Sequence, residues 1–274
     1  MEKENLSKAE RKALKAQRKL EKSQNKIKKH GEIPSSIINY DDELVTVLCV
    51  RFGNKYGIHY VEKLRNMVAR HISVPYQFVC LTDDPTPIKD VKLIVQKNSG
   101  YPKGWWHKVH MFDPHLPLNG RILYMDLDVV VCGNIDKLVT TYKHEFLGIR
   151  DFNRKFYKSW KNLNSSVLSW IHGTQTHIWD QFCNGKQTAM RLHGDQDWIW
   201  KTSRDKLTFF PDSWIQSYKW EIRSKPELEI YQGKRKFKTI NNNIQPDPEC
   251  CIAVFHGDPN PADVQDKFVV DNWQ

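Results

Sequence analysis

The clearest chemical potential in the chain lies in Asp126 and Asp128, within the run Ile122-Leu123-Tyr124-Met125-Asp126-Leu127-Asp128-Val129-Val130-Val131. Read as a strand, this run puts both carboxylates on the same side of the chain, because strand side chains alternate with a period of two. Two carboxylates in apolar surroundings are costly unless something pairs with them. A hard divalent cation, manganese or magnesium, is the natural partner, and diphosphate oxygens would fill its remaining positions. The plain alternative is a turn carrying two solvated aspartates.

Such a pair needs elements to carry it. Leu44 to Val50 (LVTVLCV) is a continuous apolar run rich in β-branched residues and reads as a buried parallel strand. A polar turn from Arg51 to Gly57 follows, then Val61, Leu64, Val68 and Ile72 at helical spacing. Gln77 to Leu81 and Val91 to Val95 read as further strands, Trp105 to Phe112 as a short helix, and Arg121 to Met125 as the fourth strand. This alternation predicts an open α/β sheet, which collects ligands at the carboxyl ends of its strands. Later, Phe146 to Ile149, Ser166 to Trp170, Leu207 to Phe210 and Cys251 to Phe255 read as strands, and Gln196 to Thr202 as helix. No internal repeat is present.

The motifs around Asp126 resemble a known family. Trp106-His107-Lys108-Val109, then Gly120 through Val131, then Cys132-Gly133-Asn134-Ile135-Asp136-Lys137-Leu138, are similar to the centre of the glycogenin and bacterial galactosyltransferase family. There, a Lys-bearing helix precedes a strand ending in Asp-x-Asp. Asn164-Ser165-Ser166-Val167 resembles that family's Asn-Ser-Gly-Val, and Asp195-Gln196-Asp197 its Asp-Gln-Asp, in the same order. The resemblance implies a GT-A type glycosyltransferase: a Rossmann-like open mixed sheet flanked by helices, using a nucleotide-sugar donor, with UDP favoured, and Mn2+ (or Mg2+). It implies that Asp126 and Asp128 bind metal and donor diphosphate and that Lys108 approaches the diphosphate or sugar. Asn164 and Ser165 would line the sugar pocket, Asp195 would hold sugar hydroxyls, and Gln196 would sit beneath the anomeric carbon. Tyr56, Thr82 and Asp83 would lie near the base. The closing Val254-Phe255-His256-Gly257-Asp258-Pro259-Asn260-Pro261 resembles the family's last motif, so His256 would complete the metal site and Gly257 would lie by the phosphates. Two departures stand out: His256 directly precedes Gly257, and Asn260 stands where a lysine is expected. The family is retaining, so retention is expected.

Composition bounds the rest. The 274 residues suffice for a large α/β domain, here 37–274, behind a basic helical or disordered arm and linker, 1–36. The net charge is +10, but residues 1–30 hold eleven basic and four acidic residues, so the body is close to balanced. That distribution makes nucleic acid a minor partner reached only through the arm. Leu6, Ala13, Leu20 and Ile27 recur at heptad spacing in the arm, and a solvated helix is expected there, with a coiled coil or peripheral membrane contact as alternatives. Cys49, Cys80 and Cys132 read as buried thiols; with no CxxC, no transmembrane run and no secretory signal, a cytoplasmic protein is expected. Ten tryptophans are present, and most would be buried, although aromatic faces also suit sugar rings. The acceptor stays open between glycan, lipid-linked glycan, protein and small metabolite. The rival enzyme reading is an aspartyl-phosphate type phosphatase, whose Asp-x-Asp also ends an apolar strand.

Overall fold

The computed structural model describes residues 44–101, 103–223, 228–231, 234–237 and 244–274. The arm and linker predicted for 1–36 lie outside them. In chain order come β1 (Val45–Arg51), α1 (Ile58–His71), β2 (Tyr76–Thr82), β3 (Lys92–Val95), a 3-10 helix (Gly104–Phe112) and β4 (Arg121–Met125). Next are β5 (Val129–Val131), α2 (Lys137–Thr140), β6 (Phe146–Arg150), β7 (Leu163–Ile171), α3 (Thr176–Ala189) and α4 (Asp195–Ser203). Last are β8 (Leu207–Phe209), β9 (Ile215–Ser217), the paired β10 (Leu228–Tyr231) and β11 (Lys234–Phe237), β12 (Ile252–Val254) and α5 (Lys267–Asn272).

The continuous apolar runs become the sheet's centre. Seven strands order as β3-β2-β1-β4-β7-β6-β8. β1 runs parallel to β2 and β4, with Cys49 opposite Cys80 and Leu48 opposite Tyr124. β7 is antiparallel to both β4 and β6, so the sheet is mixed. Val47 and Cys49 face one apolar core with Leu64 and Val68 of α1 and with β5 and β12. Leu48 faces the other with Trp106, Trp170, Phe182 and Trp198. Burial on both faces explains why the β1 and β4 sequences show no polar alternation.

The run around Asp126 is not one strand. β4 stops at Met125, and Asp126 donates its N–H to the Ser166 carbonyl at 2.8 Å. Asp126-Leu127-Asp128 then turns, and β5 joins a separate three-stranded sheet ordered β5-β12-β9. The expected alternation along a strand is therefore replaced by a turn between two sheets. Cys132, expected to be buried, is only half-buried.

The 3-10 helix, expected as a short helix, is anchored by two neutral histidines. His107 Nδ1 meets the Gly104 carbonyl at 2.9 Å, and its Nε2 accepts the Ser99 N–H at 3.2 Å. His110 bonds Gln96 Oε1 and the Tyr101 hydroxyl, both at 2.8 Å. Phe52 stacks on His107 with centroids 4.1 Å apart. Burial above all, with the unfavourable proximity of a second imidazole, His107, and of the Lys186 charge, pushes His110 down from 6.5 to about 4. A depressed folded value means that the unfolded chain binds the proton first. His110 thus contributes stability that is present above about 6.5 and lost as pH falls towards about 4. Over that window the loss is about 3 kcal/mol. Urea unfolding at pH 7 and pH 4.5 should show it. His110→Gln, less stable at pH 7, should have the shallower pH slope; equal slopes would show that His110 does not titrate this way.

Candidate active site

Lys108 is the centre of the site. The 3-10 helix carries it inward, and its Nζ lies 3.0 Å from Asp126 Oδ1, 3.2 Å from Asp195 Oδ2 and 3.1 Å from Ser165 Oγ. The Ser165 hydroxyl donates onward to Asp195 Oδ2 at 2.9 Å, and the Ser165 N–H donates to Gln196 Oε1 at 3.2 Å. The 3-10 helix, the turn after β4, the start of β7 and the first turn of α4 thereby meet at one ammonium. Burial alone pulls the Lys108 pKa down, but the charges of Asp126 and Asp195 outweigh it, and the group ends above the usual lysine range. Asp195 is raised by its own burial, with Lys108 opposing. Its place in the first turn of a helix favours its negative charge.

Each carboxylate of the turn has a tyrosine. The Tyr124 hydroxyl donates to Asp126 Oδ1 at 2.5 Å, and the Tyr56 hydroxyl donates to Asp128 Oδ2 at 2.7 Å. Burial and the adjacent Asp126 charge still push Asp128 up to about 6, against Tyr56, Lys55 and Lys108. A buried acid raised this far marks a place where added positive charge would be stabilising.

Two cavities open here, each about 300 Å³. The first is walled by Lys108, Asp126, Asp128, Asn164, Ser165, Asp195, Gln196 and His256. Eight predicted site residues, far apart in sequence, are thus brought to one space. The second lies at the carboxyl end of β1, lined by Arg51, Phe52, Lys55 and Tyr56, and shares Trp105, Lys108, Asp126 and Asp128 with the first. Thr82, Asp83 and Gly257 line neither. Asp83 instead accepts the Gly53 N–H at 3.1 Å and the Asn98 amide at 2.7 Å, pinning the turn after β1, where Gly53 has φ 67°. Thr82 is buried, its hydroxyl accepting the Asp84 N–H at 3.1 Å. Gly257, with φ 71°, turns the chain away after His256.

The expected third metal ligand has a hydrogen-bond partner of its own. His256 lines the cavity, but its Nε2 bonds the Ser217 hydroxyl at 2.7 Å, and its ring stacks on Phe152. Among the described residues, no three His, Cys, Asp or Glu side chains converge as a metal cluster. The donor chemistry of Asp126 and Asp128 still fits a hard cation, since both offer carboxylate oxygens to one cavity and one of them is held at a raised pKa. Sequence reading missed Trp105 and Lys55 as cavity residues. The available signal was the Trp105-Trp106 pair beside Lys108, of which Trp106 points inward and Trp105 outward.

No family model matches the chain, and no curated protein sequence matches it. Solved structures do. An active-site mutant of LgtC superposes with TM-score 0.55 at 10% identity, covering 79% of this chain and 89% of the other. The galactosyltransferase LgtC with donor and acceptor sugar analogues gives 0.53 at 11% identity, covering 79% and 88%. The glycosyltransferase GlyE of Streptococcus pneumoniae gives 0.56 at 14% identity, covering 83% of this chain and 60% of its own length. At such identities the likeness defines the fold, and the fold is that of the GT-A-type glycosyltransferases.

Proposed function

We propose that this protein is a glycosyltransferase that moves a sugar from a nucleotide-diphosphate donor, with UDP favoured, to an acceptor hydroxyl. One observation carries the reading: a single cavity on this fold gathers Asp126, Asp128, Lys108, Asp195 and Gln196 and shares Lys108 and both turn aspartates with a second at the end of β1. Together they suit a diphosphate flanked by a sugar and a base.

In the reaction, the bond from the anomeric carbon to the donor phosphate oxygen breaks, and that oxygen leaves with the nucleoside diphosphate. The acceptor oxygen bonds the anomeric carbon, and its proton goes to solvent. Asp126 and Asp128, with His256 on the same wall, would hold manganese or magnesium, which when bound supplies Lewis-acid neutralisation of the leaving diphosphate. Lys108 adds a fixed positive charge beside the leaving oxygens. Asp195 and Asn164 orient sugar hydroxyls. The Gln196 carbonyl, held by Ser165, faces developing positive charge at the anomeric carbon, consistent with retention. No helix of the described residues is long and apolar enough to cross a membrane; we place the reaction in the cytoplasm, where thiols stay reduced.

The test is donor hydrolysis across a panel of nucleotide sugars, with and without manganese. Gln196→Ala and Asp195→Asn should cut turnover about 100-fold while changing UDP affinity less than about threefold. Equal losses in both would make the stretch structural. Cleavage of a simple phosphate monoester without any nucleotide-sugar turnover would overturn the reading in favour of a phosphatase.

A further inference from the structure

We propose that Trp105 is a stacking platform for a saccharide acceptor, which assigns the acceptor class to carbohydrate. The inference rests on the glycosyltransferase reading above. Of the ten tryptophans, Trp105 alone is exposed, at 42%. Among the described residues, the other exposed large hydrophobic side chains, Val95, Tyr157 and Val270, line neither cavity, whereas Trp105 lines both. An apolar ring left in water at the mouth of a polar site loses hydration cost when a ligand covers it.

The ring is held in place without being covered. A Cβ on Gly194 would lie 3.0 Å from Trp105 Nε1 and 3.4 Å from Cδ1, so the pyrrole edge rests against the backbone that opens α4. The absence of a side chain at Gly194 permits this approach. The indole therefore sits one residue from Asp195 and two from Gln196, where an acceptor must come to reach the anomeric carbon. Lys103 Nζ lies 4.9 Å from the ring centroid. An ammonium attracted to the π-face shows that the face accepts positive partial charge, which the axial C–H groups of a pyranose also carry. His193 and Asp197 line the same cavity and have no assignment in donor binding. They complete a rim of hydrogen-bonding groups around an aromatic floor, the combination that recognises a sugar rather than an aliphatic alcohol or a lipid chain.

The experiment uses the full chain with manganese and UDP, and titrates lactose, cellobiose and maltose while following tryptophan fluorescence. The wild type should respond to at least one of them. Trp105→Ala should weaken that saccharide tenfold or more, Trp105→Phe about threefold, with UDP affinity within twofold and the melting temperature unchanged. Saccharide binding by Trp105→Ala equal to wild type would overturn the platform. So would the absence of any saccharide response from a wild type that binds UDP. A Trp105→Ala protein that loses affinity for the nucleotide sugar, relative to UDP, would show that the ring serves the donor, which also overturns it. A wild type that binds neither UDP nor any nucleotide sugar removes the glycosyltransferase reading itself, a result distinct from these.

Discussion

Asp128→Asn should reduce sugar transfer by about 100- to 1,000-fold and at the same time make the metal-free protein more stable at neutral pH. The two effects share one cause. Burial and Asp126 raise the Asp128 acid to about 6, above its value of 3.8 in an open chain. An acid raised on folding binds its proton more readily when folded, so stability is lost as pH rises through that window and the cost is fully present at pH 7. Asparagine keeps the shape and still accepts the Tyr56 hydroxyl, but it carries no charge. A gain of order 1–3 kcal/mol, or a few degrees in melting temperature, is expected. Adding manganese should reverse the ranking, because the wild type gains a ligand-dependent shift that the variant lacks. A variant less stable than wild type without metal, or equally shifted by manganese, would contradict this account.

Arg154→Met should be strongly destabilising to the fold, costing about 3–5 kcal/mol. Arg154 is 7% exposed, and its guanidinium donates to both Glu221 oxygens at 3.1 Å and to the carbonyls of Arg150, Asp212 and Ile215. Removing it leaves Glu221, already raised by burial, without its counter-charge. The loss reaches the site as well. Glu221 accepts the Ser217 N–H at 2.9 Å, and the Ser217 hydroxyl holds His256. Urea unfolding should show the drop, and the double variant Arg154→Met with Glu221→Leu should recover much of it. If the double variant is no more stable than the single, the charge pair is not the cause.

The first half of the sheet was legible because β1, β2 and β4 are buried on both faces, so their apolar runs are unbroken. Asp126 and Asp128 were legible as chemistry but not as geometry. Apolar residues on both sides of the pair serve two different sheets, and hydrophobicity does not distinguish one long strand from two short ones. The three-residue strands β5 and β9 are below the length at which a period shows. α3 was missed because it buries only Ile178, Phe182 and Ala189 and carries a non-helical Gly185. Lys108 could be linked to Asp126 by resemblance alone. Its bridge to Asp195 joins elements with no local relation in the sequence. Asp83 is linked to the base by resemblance alone, and its bonds to the Gly53 N–H and the Asn98 amide join segments with no local relation in the sequence.

The turn between β4 and β5 gives the molecule a seam. Asp126 directly follows β4 of the seven-stranded sheet, Asp128 leads into the three-stranded one, and His256 follows β12 of that smaller sheet. Anything lodged among these side chains and Asn164, Ser165 and Asp195 touches both sheets at once, like a rivet through two plates. Three-residue strands protect their amides weakly by themselves, so the smaller sheet is where local opening should be easiest. Donor binding is then expected to slow amide hydrogen exchange along β5 and β12, beyond the residues it contacts. The small sheet would report occupancy of a cavity whose other walls come from the 3-10 helix, β7 and the start of α4.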